Sequence, residues 1–108
     1  MGRKKHPLIE MRAGAAKIAH PCIVNTRIRV SYLVDLYRQY CETGLSDEEA
    51  FSELAANYEQ LSIQELHAAL DYWQANPGEI EREILEDQAA FAGLEMLQRS
   101  LERIHSQR

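Results

Sequence analysis

The sequence holds little of what a disulfide-stabilised, metal-binding or membrane-spanning protein needs. Its two cysteines, Cys22 and Cys41, stand alone, with no CxxC pair and no histidine nearby at ligand spacing. We therefore expect two reduced, partly buried thiols and no metal site. No apolar run approaches the ~20 residues that cross a bilayer, and no apolar stretch follows the basic start of the chain as a signal peptide requires. These absences predict a cytoplasmic protein.

Motifs for enzyme chemistry are also missing. The chain has no glycine-rich phosphate loop and no nucleophile motif, and neither cysteine has a recognisable histidine partner. We expect no enzyme activity and no cofactor. With 108 residues, the chain has room for one compact unit with a modest core.

Basic residues are absent from the middle of the chain, where none lies between Arg38 and Arg82. Residues 1–40 hold eight basic and two acidic residues, whereas residues 41–108 hold four basic and fifteen acidic residues. This asymmetry favours different partners for the two halves. The alternative is that the charges neutralise each other across the folded surface.

Helical periodicity begins near Ser31, after which apolar side chains recur at spacings of three and four. Ser31 is the candidate N-cap of this helix, and Gly44 is its candidate C-terminal stop. Capping-box patterns at Ser46–Glu49 and Ser62–Glu65 start two further helices. The predicted helices span about 31–42, 46–57 and 62–75.

The first thirty residues lack this period. Residues 1–6 read as a basic arm. Short apolar runs then predict a β-hairpin-like segment, in which Leu8, Ile9 and Met11 form one strand and Lys17-Ile18 its partner around Gly14. Pro21 is expected to end or edge any strand.

The predicted fold is therefore mainly α, with three parts. Residues 1–30 form the basic arm and β-hairpin-like segment. Residues 31–76 form a three-helix, helix-turn-helix core of homeodomain-like type. Residues 77–108 form a C-terminal helical extension, because Pro77 suits a first helical turn and no proline follows it.

Four apolar residues in the extension follow the spacing of a coiled-coil seam: Leu94, Leu97, Leu101 and Ile104. Two interpretations remain open. Either Gly93 breaks the helix and both pieces fold back on the core, or the seam pairs with a second chain. We favour the second interpretation and expect a homodimer.

One continuous stretch, "HPCIVNTRIRVSYLVDLY…GLSDEEAFSELAANYEQLSIQELHAALDYW", resembles the small bacterial domain-of-unknown-function family 433. The family pattern has Thr-Arg-Ile-x-Val, an amphipathic helix, Gly-Leu-Ser-x-Glu-Glu, a tyrosine-containing turn and an Ala-Ala-Leu-x-Tyr helix. The matching positions are Pro21, Thr26, Arg27, Ile28, Val30, Gly44, Leu45, Ser46, Glu48, Glu49, Tyr58, Leu61, Ser62, Ala68, Ala69, Leu70 and Tyr72. The family's glycine before Thr-Arg is replaced by Asn25, which also tolerates a left-handed turn.

This resemblance implies a homeodomain-like fold and an antitoxin of the VapB type, which binds and restrains a PIN-like ribonuclease toxin. A DNA-binding transcriptional regulator is the alternative. The basic N-terminal region could supply its anion or nucleic-acid contacts, with one outward residue from the third helix. The candidate contacts are Arg3, Lys4, Lys5, Arg12, Lys17, Arg27, Arg29 and Gln64.

Arg27 and Arg29 alternate about Ile28, so in extended backbone they share one face. They can bind phosphate or a partner's carboxylates, or they can tie this segment to the helices. We expect the tying role for Arg27 and exposure for Arg29.

The acidic stretch from Glu79 to Glu95 has two interpretations. It is either a docking helix for a basic, nucleic-acid-handling partner or the solvated face of a packing helix. In the docking interpretation the partner contacts are Ile80, Ile84 and Phe91.

Overall fold

The computed structural model describes residues 5–14 and 17–106, and of residues 103–106 the backbone alone. Within these residues the fold is mainly α, as predicted: an antiparallel two-stranded hairpin precedes four helices, the last of them long. The elements are β1 (Ile9–Ala13), β2 (Ala19–Ile23), α1 (Val30–Glu42), α2 (Asp47–Asn57), α3 (Ile63–Ala75) and α4 (Pro77–Ser106). In the described part of the chain, no helix is long and apolar enough to cross a membrane.

The second strand lies later than predicted. It runs from Ala19 to Ile23, not over Lys17-Ile18, and Pro21 sits inside it opposite Met11. Ile23 points its backbone N–H away from β1, to the carbonyl of Ile28 at 2.9 Å. Pro21 shares that orientation through the two-residue period of a strand, so its missing N–H costs no hydrogen bond with β1.

The start of α1 also differs from the prediction. Its N-cap is Arg29, without a side-chain cap, and Ser31 is a buried residue inside the first turn. The prediction of Ser31 as N-cap was wrong, because its side chain faces the interior. The predicted stop is confirmed: α1 ends at Glu42, and Gly44 follows with a φ of 101°, the left-handed conformation that suits glycine.

Both predicted capping boxes are present. The Ser46 hydroxyl accepts from the Glu49 backbone N–H, while the Glu49 carboxylate accepts from the Ser46 backbone N–H. Ser62 and Glu65 repeat this exchange at the start of α3. The short links before α2 and α3 are therefore defined by local hydrogen bonds, which fixes where each helix enters the core.

The core lies where α1 meets the other elements, since α1 packs against α2, α3, α4 and β2. The largest fully buried apolar side chains come from five of the six elements: Ile23, Val30, Leu33, Val34, Leu54, Leu66 and Ile80. The beginning of α4 thus belongs to the same core as the three preceding helices.

The last helix is continuous through Gly93 and comprises 30 residues. At 1.5 Å per residue it is about 45 Å long. The structure therefore excludes the interpretation in which Gly93 breaks the helix and both pieces fold back. Ile80 and Ile84 are buried, whereas every described side chain from Gln88 to Glu102 is exposed.

Candidate functional site

The Thr-Arg-Ile-x-Val segment lies in a hydrogen-bonded turn between β2 and α1. Asn25 adopts a left-handed φ of 62°, and its N–H donates to Glu10 Oε1 at 2.9 Å. The Thr26 hydroxyl donates to the carbonyl of Ile23 at 2.8 Å and accepts from the Ile28 N–H at 3.0 Å. These bonds fix the backbone that carries the two arginines.

Three of the predicted basic residues line one cavity. Arg12 comes from β1, Arg27 from the turn and Arg29 from the N-cap of α1, and together they border a space of about 520 Å³. His20 and Tyr32 also line it, and no acidic side chain of the described residues does. The fold therefore gathers part of the predicted anion-binding set, and sequence reasoning missed the histidine and tyrosine beside it.

The two central arginines exchange the roles that the sequence suggested. Arg29 is the tying residue: its guanidinium lies 5.3 Å from the centre of the Tyr32 ring, and its Nη1 lies 3.8 Å from Asp87 Oδ1 on α4. Arg27 is exposed, and it makes no hydrogen bond or ion pair within the described residues. The expectation of a tying Arg27 and an exposed Arg29 is thus corrected.

The other predicted basic contacts do not join this cavity. Lys5 borders a different space, of about 440 Å³, formed with Ile9, Met11 and Tyr72. Lys17 is exposed at the hairpin turn and Gln64 is exposed near the start of α3. Arg3 and Lys4 lie outside the described residues.

Beneath the cavity lies a buried polar cluster that joins three elements. His20 Nδ1 of β2 lies 3.2 Å from Glu83 Oε1 of α4, and the Ser31 hydroxyl of α1 is buried beside them. Within the described residues, none of these three atoms makes a hydrogen bond of normal geometry. Burial of a carboxyl group costs free energy unless polar groups face it, and here His20 and Ser31 face Glu83.

Burial changes the proton affinity of two side chains here. Burial raises the pKa of the Glu83 carboxyl above its usual value, and the nearby His20 opposes this rise in part. Burial likewise raises the pKa of the Cys22 thiol, which the positive charge of Arg29 partly offsets. Cys22 is therefore held in its protonated, weakly nucleophilic form.

A second surface lies where α4 leaves the body of the molecule. Tyr32, Ile84 and Phe91 line an open, mostly apolar groove of about 310 Å³, and Asp35 and Asp87 are the acidic residues that border it. We call this the α1–α4 groove. Phe91 is 63% exposed, which fits its predicted role as a partner contact.

The other two predicted partner contacts need correction. Ile80 is fully buried and Ile84 is 3% exposed, because both pack on the core. Ile84 reaches only the floor of the α1–α4 groove. In the sequence, the apolar spacing of a core-packing helix face is the same as that of a docking face. Which turns of α4 are covered by the core depends on the tertiary structure.

The predicted dimer seam lies on the exposed half of α4. Leu94, Leu97 and Leu101 are all exposed, and the side chain of Ile104 lies outside the described residues. Nothing in this single chain tests their pairing, so the seam stays a prediction.

Several carboxylates of the acidic stretch serve the fold. Glu81 pairs with Arg38 of α1 and accepts from Trp73 Nε1 of α3 at 3.1 Å. Glu79 accepts from the Tyr72 hydroxyl, and Glu83 faces His20. The carboxylates in the first half of the acidic stretch therefore attach α4 to the other elements of the fold. Asp35 and Asp87 border the α1–α4 groove instead.

The comparisons with known proteins fit the quoted motifs. The model of the family described as "Protein of unknown function (DUF433)" matches residues 19–73, from β2 through α3 and about half of the chain. The chain belongs to this family. No curated protein and no solved structure matches it.

The DUF433 segment contains only part of each surface. Arg27 and Arg29 lie within it, whereas Arg12 of β1 and Phe91 of α4 lie outside. The elements that complete both the arginine-lined cavity and the groove thus lie outside the matched segment. The homeodomain-like arrangement of α1–α3 stays a prediction. The residues that the structure describes hold no cluster of three or more metal-ligating side chains.

Proposed function

We propose that this protein is a small interaction module that binds a protein partner through the α1–α4 groove, in the manner of a VapB-type antitoxin restraining a PIN-like ribonuclease. The observation that carries the proposal is the exposure of Phe91. Phe91 continues the helix face of Ile80 and Ile84, but it is 63% exposed. A large aromatic side chain beside a groove is a typical anchor of a protein interface.

The chemistry of the groove indicates the kind of segment that it binds. Its apolar lining favours a large apolar side chain, and Asp35 and Asp87 favour a basic residue next to that side chain. Asp35 makes no ion pair within the described residues, so it is free for such a residue. A ribonuclease carries basic residues where it handles RNA, which suits this border.

The first step is to establish whether a PIN-like reading frame lies beside this gene, and the test is binding to its product, measured by calorimetry. We expect Phe91→Ala and Tyr32→Ala each to weaken binding by tenfold or more, the loss of about 1.4 kcal/mol or more that hot-spot residues give. Leu85→Ala is the matched control, because Leu85 is equally exposed but lies about 120° from Phe91 around α4 and does not line the groove. Equal losses in all three variants, or no binding by the natural chain, would contradict the proposal.

A homodimer through Leu94, Leu97 and Leu101 is part of the same proposal. Light scattering is expected to give twice 12.4 kDa for the natural chain. Leu97→Glu is expected to give the monomer mass, because it places a charge in the seam. Met96→Glu changes an exposed neighbour off the seam and should leave the dimer intact. A monomer at all protein concentrations would remove the dimer from the proposal.

A second candidate function is DNA binding by the basic N-terminal region, as in a regulator of its own operon. The gathering of Arg12, Arg27 and Arg29 around one cavity favours it. The third helix does not, because its exposed residues include Asp71 and no basic residue. Binding of upstream DNA that falls with salt and is lost on deleting residues 1–6, or in Arg27→Ala, is the expected result. Binding insensitive to these changes would refute this candidate.

A further inference from the structure

The arginine-lined cavity has the size of a small-molecule site and the lining of an anion site. Its volume of about 520 Å³ lies within the range of small-molecule sites in proteins. Three arginines line it, one from β1 and two from the turn that leads into α1, and no carboxylate of the described residues does. Arg27 is exposed and makes no hydrogen bond or ion pair within the described residues, so its position at the cavity is not explained by internal polar contacts.

Two of the three guanidinium groups are held in place. Arg12 Nη1 donates to the carbonyl of Thr26 at 2.8 Å, and Arg29 packs on the ring of Tyr32. Arg27 is free within the described residues. A ligand would therefore meet two preorganised donors and one that can adjust, which lowers the entropy cost of binding.

The nearby carboxylates leave the arginine donors largely available. Glu10 lies 3.7 Å from Arg12 Nε, and Asp87 lies 3.8 Å from Arg29 Nη1. Charge-assisted hydrogen bonds are shorter, about 2.7–2.9 Å, so these contacts are loose ion pairs. Both guanidinium groups keep N–H donors for a stronger acceptor.

The start of α1 adds to the positive potential of the cavity. Arg29 is its N-cap residue and Tyr32 lies in its first turn. This helix has no side-chain cap and no acidic residue in its first turn, whereas α2 and α3 have both. The positive end of its dipole is therefore not offset by its own residues.

We propose that this cavity binds a phosphate group. Phosphate accepts hydrogen bonds in several directions and carries more charge than one carboxylate, so it suits a cavity lined by three arginines. The phosphate could belong to a small phosphate-bearing molecule or to a nucleic-acid backbone. The inference does not rest on the partner-binding proposal, and it stands even if duplex DNA does not bind.

The test is a titration of the full chain, monitored by calorimetry and by the NMR signals of the arginine side chains. The probes are inorganic phosphate, adenosine monophosphate, a short DNA duplex and, as a carboxylate, acetate. We expect Arg27→Gln to weaken phosphate binding about tenfold, in line with the loss of charge-assisted hydrogen bonds. Arg27 is exposed, so this variant should keep its fold. Arg82→Gln is the matched control, because it removes one exposed positive charge from α4.

The outcomes separate the sources of the phosphate. Binding of phosphate and adenosine monophosphate without duplex binding supports a small phosphate-bearing ligand and refutes the DNA candidate. Duplex binding that depends on Arg27 supports backbone phosphate. Equal losses in Arg27→Gln and Arg82→Gln, equal binding of acetate, or no shift of the arginine signals with any probe would overturn the proposal.

Discussion

The two halves of α4 have similar apolar residues on the same face, yet they end in different environments. Ile80, Ile84, Phe91, Leu94 and Leu101 all lie within an arc of about 100° on the helix surface. The first two are buried in the core, while Leu94 is 60% exposed and Leu101 is 49% exposed. The inner half stabilises the fold, and the outer half presents a surface.

This difference shows that an apolar stripe identifies one face of a helix but does not show how deeply each residue on it is buried. The inner half is held by contacts that only the tertiary structure supplies, including those of Glu81 with Arg38 and Trp73. The outer half lies beyond the reach of α1, and its leucines have no such neighbours within the described residues. Function is therefore to be sought where the stripe continues after the core ends.

The largest expected effect comes from the inner half. Ile80→Ala should lower the free energy of unfolding by about 3 kcal/mol, because it removes buried methyl groups and leaves a cavity in the core. Leu97→Ala on the outer half should change the stability of the monomer by less than about 0.5 kcal/mol. Urea denaturation at low protein concentration measures both. Similar losses in the two variants would mean that the outer leucines pack within the same chain.

A smaller, pH-dependent effect is expected at Glu83, in the inner half. Its raised pKa means that the folded chain holds this proton more tightly than the unfolded chain does. The associated stability is present below the usual value of 4.5 and is lost as the pH rises through the raised value. Glu83→Gln stays neutral, so its stability relative to the natural chain should increase between pH 4.5 and neutrality.

Thermal unfolding across this pH range measures the effect of Glu83→Gln. The groups that face Glu83 are His20, Ser31 and Glu79, and all are kept in the variant. The matched control is Glu86→Gln, which removes a carboxylate from the exposed side of the same helix. If both variants gained the same stability relative to the natural chain, net charge and not burial would be the cause.

The elements that sequence reasoning placed correctly are those defined by local chemistry. The two capping boxes at Ser46 and Ser62 and the stop at Gly44 each depend on residues within one helical turn. The errors fall where distant contacts decide. Ser31 is buried among side chains of β2 and α4, and the position of β2 depends on its pairing with β1.

The candidate site divides in the same way. The alternation of Arg27 and Arg29 predicted a shared basic edge, and the structure places both at one cavity. Their roles are exchanged because Arg29 contacts Asp87 and the Tyr32 ring. Asp87 is distant in the sequence, and no sequence pattern indicates which of the two arginines the nearby Tyr32 contacts. The pairing of His20 with Glu83 joins residues that are far apart in the sequence, and no local pattern predicts it.

The smallest expected effect compares two glycines of α4. Gly78 lies in the first turn, beside the core, and Gly93 lies in the outer half; an added Cβ meets nothing within 4 Å at either position. Alanine favours the helix over glycine by up to about 1 kcal/mol. Gly78→Ala should therefore raise the free energy of global unfolding, because this turn unfolds together with the core.

Gly93→Ala should leave global unfolding unchanged and should slow amide hydrogen exchange only in the outer half, because that half can unfold while the core stays intact. Urea denaturation and hydrogen exchange on the two variants separate these results. If Gly93→Ala raised global stability as much as Gly78→Ala does, the two halves of α4 would unfold as one unit. The outer leucines would then be covered in solution, and a second copy of the chain is the cover that their spacing favours.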